Sequence, residues 1–104
     1  MISFLLDTDV IINHLNDRSR EGFNLEGLHA LGTLHVSTLT LVELYAGLSP
    51  KEKKEIEPAL SEIASIPVTA LIGQSAGALV YEYKNRGTNI TTADAVIAAT
   101  AVEN

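Results

Sequence analysis

The chain has no cysteine in its 104 residues, which excludes a disulfide framework, a thiolate nucleophile and a zinc–thiolate site. It is also poor in positive charge. Seven Lys and Arg stand against thirteen Asp and Glu, a formal net charge of -6. There is no cation excess with which to neutralise phosphates broadly, so a nucleic-acid enzyme built on this chain would have to delegate that task to bound metal. No apolar run approaches the roughly 20 residues that span a bilayer. The start lacks the basic flank of a signal peptide and carries two acids, Asp7 and Asp9, within its first nine positions. No linker, internal repeat or low-complexity tract interrupts it. What remains is 46% apolar and 19% charged, the profile of a folded domain. One small cytoplasmic domain without a membrane segment is expected.

Ile2-Ser3-Phe4-Leu5-Leu6 reads as a strand buried on both faces. It stops at Asp7-Thr8-Asp9, and Val10-Ile11-Ile12 with Leu15 predict a short helix. Residues 17–24 are polar and predict a loop. Leu25, Leu28, Ala30 and Leu31 then line one side of a helix that Gly32 ends. Leu34–Ser37 predicts a second strand, and Thr40–Ala46 a helix closed by Gly47. Ser49-Pro50 is a good N-cap and first-turn pair for the next helix, which Pro58 must kink or restart. Ile66–Leu71 is the third strand expected, with Pro67 near its start. A helix over about 73–86 ends at Gly87, with Tyr81 and Tyr83 as packing residues, and a final small-residue helix begins near Thr92. Strands alternating with helices imply an α/β fold with a parallel sheet and right-handed crossovers. Sites in such sheets form beyond the carboxyl ends of the strands.

Asp7, Asp9, Glu43 and Asp94 each fall where an extended segment or loop turns into a helix, flanked by apolar residues. Carboxylates so placed suit a hard cation such as Mg²⁺, which takes a few protein oxygens and keeps several waters. Each acid taken alone has a plainer explanation. Thr40-Leu41-Val42-Glu43 matches a capping box, Thr91-Thr92-Ala93-Asp94 is a weaker version of one, and Asp7 or Thr8 would serve as an ordinary N-cap. The joint pattern favours a site, because several helix starts aim carboxylates at one end of a parallel sheet. His14, His29 and His35 lack metal-ligand spacing. Lys51, Lys53 and Lys54 alternate with Glu52 and Glu55 as a solvated face. Arg18 and Arg20, after the first helix, are weak candidates for a substrate phosphate.

Three stretches, Phe4–Ile12, Ser37–Gly47 and Thr91–Ala101, resemble PIN domains, and most of all the VapC-type toxin ribonucleases. Their order and spacing run through essentially the whole chain. The resemblance implies a three-layer α/β/α fold and a Mg²⁺- or Mn²⁺-dependent ribonuclease, dimeric and inhibited by a cognate antitoxin. It places catalytic and metal-binding roles on Asp7, Glu43 and Asp94, with Asp9 close to the metal; Thr8 joins Arg18 and Arg20 as a weak candidate for substrate contact. The family continues with further strands past the point where this sequence ends, so a sheet of three visible strands, short at its C-terminal side, is expected. Without the four acids, nine others remain against seven bases, so much of the acidity is concentrated in this proposed site.

Two other functions compete. Asp7-Thr8-Asp9-Val10 after a buried strand is similar to the D-x-D pair of haloacid-dehalogenase-like phosphatases, with Ser37 or Thr38 as the phosphate-binding hydroxyl. No well-placed lysine or late acid pair completes that pattern. A non-catalytic interaction module that keeps the fold and has lost the chemistry is the other alternative.

Overall fold

A computed structural model of the chain describes residues 2–15 and 25–104. Its backbone divides into two compact units, Met1–Ile66 and Pro67–Asn104.

In the first unit, β1 (Ile2–Leu6) leads into α1 (Thr8–Leu15), and α2 (Leu25–Leu31) into β2 (Gly32–Ser37). Then follow α3 (Thr38–Ala46), α4 (Pro50–Leu60) and β3 (Ala64–Ile66). The strands are ordered β1-β2-β3 and both pairs are parallel, with Leu6 opposite Val36 and Ser37 opposite Ile66. All three strands therefore finish on the same side, which is where Asp7 and the start of α3 emerge. Leu6, Ile11, Leu25, Leu28, Leu34, Val36, Leu44, Ile56 and Ile63 form the core. Each side chain of this size contributes about 1.5–3 kcal/mol on full burial. The strand β1 lies at the sheet's edge, and its burial rises from an exposed Ile2 to a buried Leu6.

Gly32 both ends α2 and opens β2 without an intervening loop. A Cβ there would collide with the Ile2 carbonyl oxygen, so the close approach of β1 requires glycine. The expected apolar face of α2 is narrower than its sequence suggests. Leu25 and Leu28 are buried, whereas Ala30 and Leu31 are exposed, because the chain departs into β2 directly after Leu31.

Three expectations need correction. The helix α3 starts at Thr38, not Thr40, with Ser37 as its N-cap accepting from the Leu39 amide. Thr40 is fully buried inside the helix and Glu43 sits in mid-helix, so the pair forms no capping box. The third strand is Ala64–Ile66 and stops before Pro67. Proline has no N–H for the ladder, and Thr69 is already committed as the N-cap of the next helix. Finally, α4 does not restart at Pro58 but runs through it and ends two residues later, at Leu60. Its start is as expected: Ser49 and Glu52 cap reciprocally, at 3.2 and 3.0 Å, with Pro50 in the first turn. On its flank, Lys53 lies over the Tyr45 ring, 5.9 Å from the centroid.

The second unit is a helical pair, α5 (Ala70–Asn85) packed on α6 (Thr92–Glu103). Ile72 and Ala76 of α5 are buried, as are Ala95, Val96, Ala99 and Thr100 of α6. Small side chains at those positions let two helices pack closely. Gly87, at φ 76, ends α5 as expected. The Thr88 amide bonds the Tyr83 carbonyl at 2.9 Å and the Gly87 amide bonds the Lys84 carbonyl at 3.1 Å, a Schellman motif. Thr91 caps α6. Tyr81 and Tyr83 are exposed rather than packed; Tyr81, five residues past Ala76, falls off the face that Ile72 and Ala76 bury.

Candidate functional site

Asp7 and Glu43 both belong to the first unit, and Glu43 is tied by a hydrogen bond to Thr8, the residue after Asp7. Asp7 follows the last residue of β1, and its Oδ1 accepts the Val10 amide of α1 at 3.0 Å. The capping role open to Asp7 is thus real. It occupies one oxygen of a group that carries two, with about four acceptor sites. The other oxygen has no partner among the described residues, and the positive end of α1 favours its charge.

Glu43 stands in mid-α3. Its Oε1 accepts a hydrogen bond from Thr8 Oγ1 at 3.2 Å, while its Oε2 has no partner among the described residues. This bond bridges 35 positions of sequence and joins the first residue of α1 to mid-α3, two helices that pack together. Thr8 is therefore a holder of Glu43, a role its place in the sequence did not disclose. A hydroxyl beside an acid normally suggests local capping, and only the tertiary pairing of α1 with α3 gives it this partner. Asp9 is exposed in the first turn of α1 and has no hydrogen-bond partner among the described residues.

Asp94 belongs to the second unit. Thr91 Oγ1 accepts its backbone amide at 3.1 Å, but the Asp94 carboxylate makes no return bond among the described residues and is exposed. The local capping motif therefore uses the backbone of Asp94 and leaves its charge available. Arg18 and Arg20 lie outside the described residues.

The donors at Asp7, Thr8 and Glu43 are all hard oxygens, with neither imidazole nor thiolate. That set fits Mg²⁺ or Mn²⁺, and Mg²⁺ is commonly held by one or two carboxylates with water completing its shell. Among the described residues no group of three or more His, Asp or Glu side chains forms a ready-made metal cage. The phosphatase alternative loses its phosphate hydroxyl at Ser37, which is fully buried and engaged as the cap of α3.

Comparison with known proteins places these features in context. Residues 4–104 match the PIN domain family. Ribonuclease VapC10 of Mycobacterium tuberculosis is 31% identical over 97 residues, spanning 93% of this chain and 73% of that protein. VapBC2 from Rickettsia felis, solved bound to a DNA fragment from its promoter, superposes with a TM-score of 0.82 at 25% identity, covering 96% of this chain and 80% of that one. A toxin–antitoxin complex from Klebsiella pneumoniae gives 0.70 at 27% identity, covering 93% and 76%.

Proposed function

The chain belongs to the PIN domain family, and from that premise we propose that it is a divalent-metal-dependent endoribonuclease of the VapC toxin type. The observation that supports this reading is the Thr8–Glu43 hydrogen bond, which ties Glu43 to the residue that follows Asp7. The names of its relatives, a ribonuclease and toxin–antitoxin complexes, point the same way.

Asp7 and Glu43 would hold the cation through the oxygens their hydrogen bonds leave free, with Asp94 as the third carboxylate and Asp9 completing or orienting the shell. Bound Mg²⁺ or Mn²⁺ supplies charge neutralisation at the scissile phosphodiester and activates the attacking water. Thr8 fixes the Glu43 carboxylate before substrate arrives, so less side-chain entropy is lost on binding. Thr8, Arg18 and Arg20 contact the RNA. Because the acids repel an RNA backbone when the site lacks its cation, metal is required for substrate binding as well as for cleavage. The partners are RNA, a cognate antitoxin protein and a second copy of the chain, contacted near β1 or the last helix. Among the described residues no helix is long and apolar enough to cross a membrane.

Asp7→Asn is the test. Asparagine keeps the acceptor that caps α1 and removes the charge, so the variant should fold like the parent. Cleavage of a single-stranded RNA by the parent with Mn²⁺, abolished by chelation and by Asp7→Asn, is the expected result. Undiminished cleavage by the variant would overturn the assignment.

A further inference from the structure

Tyr81 lies open on α5, 68% exposed. Lys84 follows it by one helical turn on the same face, and Arg86 caps the helix. Both cations are exposed. They are the only Lys or Arg in residues 67–104, so the second unit carries its positive charge wholly at this end. One cation in the last turn answers the helix dipole, a task that needs neither the second cation nor the uncovered ring. Arg86 Nη2 donates to Glu82 Oε1 at 2.6 Å, which steadies the guanidinium and leaves its other side-chain donors without partners among the described residues.

This is also the end of the helical pair that holds Asp94. Ser75 Oγ donates to Glu103 Oε1 at 3.3 Å, joining the first half of α5 to the last turn of α6, so the two packed helices run antiparallel. Lys84 lies as many residues beyond Ser75 as Asp94 lies before Glu103. At a fixed rise per residue the two stand level along the pair. We propose that the end of α5 receives the single-stranded RNA beside Asp94, with Lys84 and Arg86 on its phosphates and Tyr81 against an unpaired base. The inference rests on the ribonuclease reading above and adds where the substrate strand runs. Cations beside an open aromatic ring grip single strands by charge and stacking together, whereas an acidic protein partner would use the cations and leave the ring unexplained. A chain without a cation excess gains most by grouping its cations where the phosphates pass.

The test is fluorescence anisotropy of the full chain with a labelled single-stranded RNA of about 12 nucleotides, in Ca²⁺ and across about 50 to 200 mM KCl. Each phosphate contact on a single strand contributes about 0.7 to the slope of log affinity against log salt. The double variant Lys84→Gln with Arg86→Gln should therefore lower that slope by about 1 to 1.5. Lys51→Gln with Lys54→Gln, which removes the same charge from α4, should leave the slope unchanged. Tyr81→Ala should weaken binding about fivefold or more, and Tyr81→Phe should bind like the parent. A parental slope in the Lys84/Arg86 variant, an equal fall in the α4 control, or parental affinity in Tyr81→Ala would each overturn the proposal. So would a change of mass in Tyr81→Ala by light scattering, which would make this face a contact between copies. Cleavage with Mn²⁺ is read separately. A parent that binds RNA with these dependences and does not cleave it contradicts the ribonuclease reading alone, and a parent that does not bind RNA contradicts both.

Discussion

Replacing Thr8 by valine removes one hydrogen bond from the candidate site and almost nothing else. Valine keeps the volume and the β-branch, and the first residue of a helix tolerates both. The lost interaction is the bond from Thr8 Oγ1 to Glu43 Oε1 at 3.2 Å. A hydroxyl bond to a carboxylate in a part-exposed setting is worth about 0.5–1.5 kcal/mol. Stability should fall by no more than this. The larger effect is on metal affinity, because an untethered Glu43 must be immobilised when the cation binds, and ordering a Glu side chain costs up to about 1.5–2 kcal/mol. Mn²⁺ affinity measured calorimetrically should fall about three- to tenfold, since 1.36 kcal/mol corresponds to tenfold. Thr8→Ser, which keeps the hydroxyl, should recover most of it. A double-mutant cycle with Glu43→Gln isolates the coupling. Parental Mn²⁺ affinity in Thr8→Val, or a serine variant as weak as the valine one, would refute the reasoning.

Three further predictions concern the scaffold. Thr40 is fully buried and its hydroxyl has no partner among the described residues, so Thr40→Val should raise stability by about 1–2 kcal/mol in denaturant unfolding. Thr100→Val, which deletes a bond to the Val96 carbonyl at 2.6 Å, should not; destabilisation by Thr40→Val would show that the hydroxyl is satisfied. Gly32→Ala should cost about 2–4 kcal/mol, because the new Cβ meets the Ile2 backbone, and a loss below about 0.5 kcal/mol would contradict that contact. The Glu52 carboxyl is held below the usual glutamate range by its bond to the Ser49 backbone amide and then by the Ser49 side chain, against a small opposing effect of burial. A depressed folded value means that its stabilisation is complete above the unfolded glutamate value and disappears as pH falls through the lower folded one. Stability measured against pH should therefore fall less steeply on acidification in Glu52→Gln than in the parent, and identical profiles would refute this.

Periodicity and punctuation made most of the architecture legible. The apolar run at 2–6, the Ser49-Pro50 start of α4 and the glycine at 87 are local signals whose partners lie within a few residues. The errors fell where several residues could do one job. Ser37, Thr38 and Thr40 are all competent caps, and burial of Thr40 under α3 decides among them. Pro67 is tolerable at a strand start but here follows the strand's end, a choice made by pairing with β2. At the candidate site, the emergence of Asp7 directly after β1 was legible from the apolar run that precedes it. The tie between Thr8 and Glu43 was not, since nothing local relates residues 35 positions apart.

The proposal that Asp7, Glu43 and Asp94 serve one divalent cation is tested, without recourse to activity, by paramagnetic broadening with Mn²⁺. At substoichiometric Mn²⁺, the amide signals of Asp7, Thr8, Glu43 and Asp94 should broaden together, and Asp7→Asn should abolish the effect at all four. Loss of the Asp7 and Glu43 signals with that of Asp94 unbroadened, or no site-selective broadening, would contradict it.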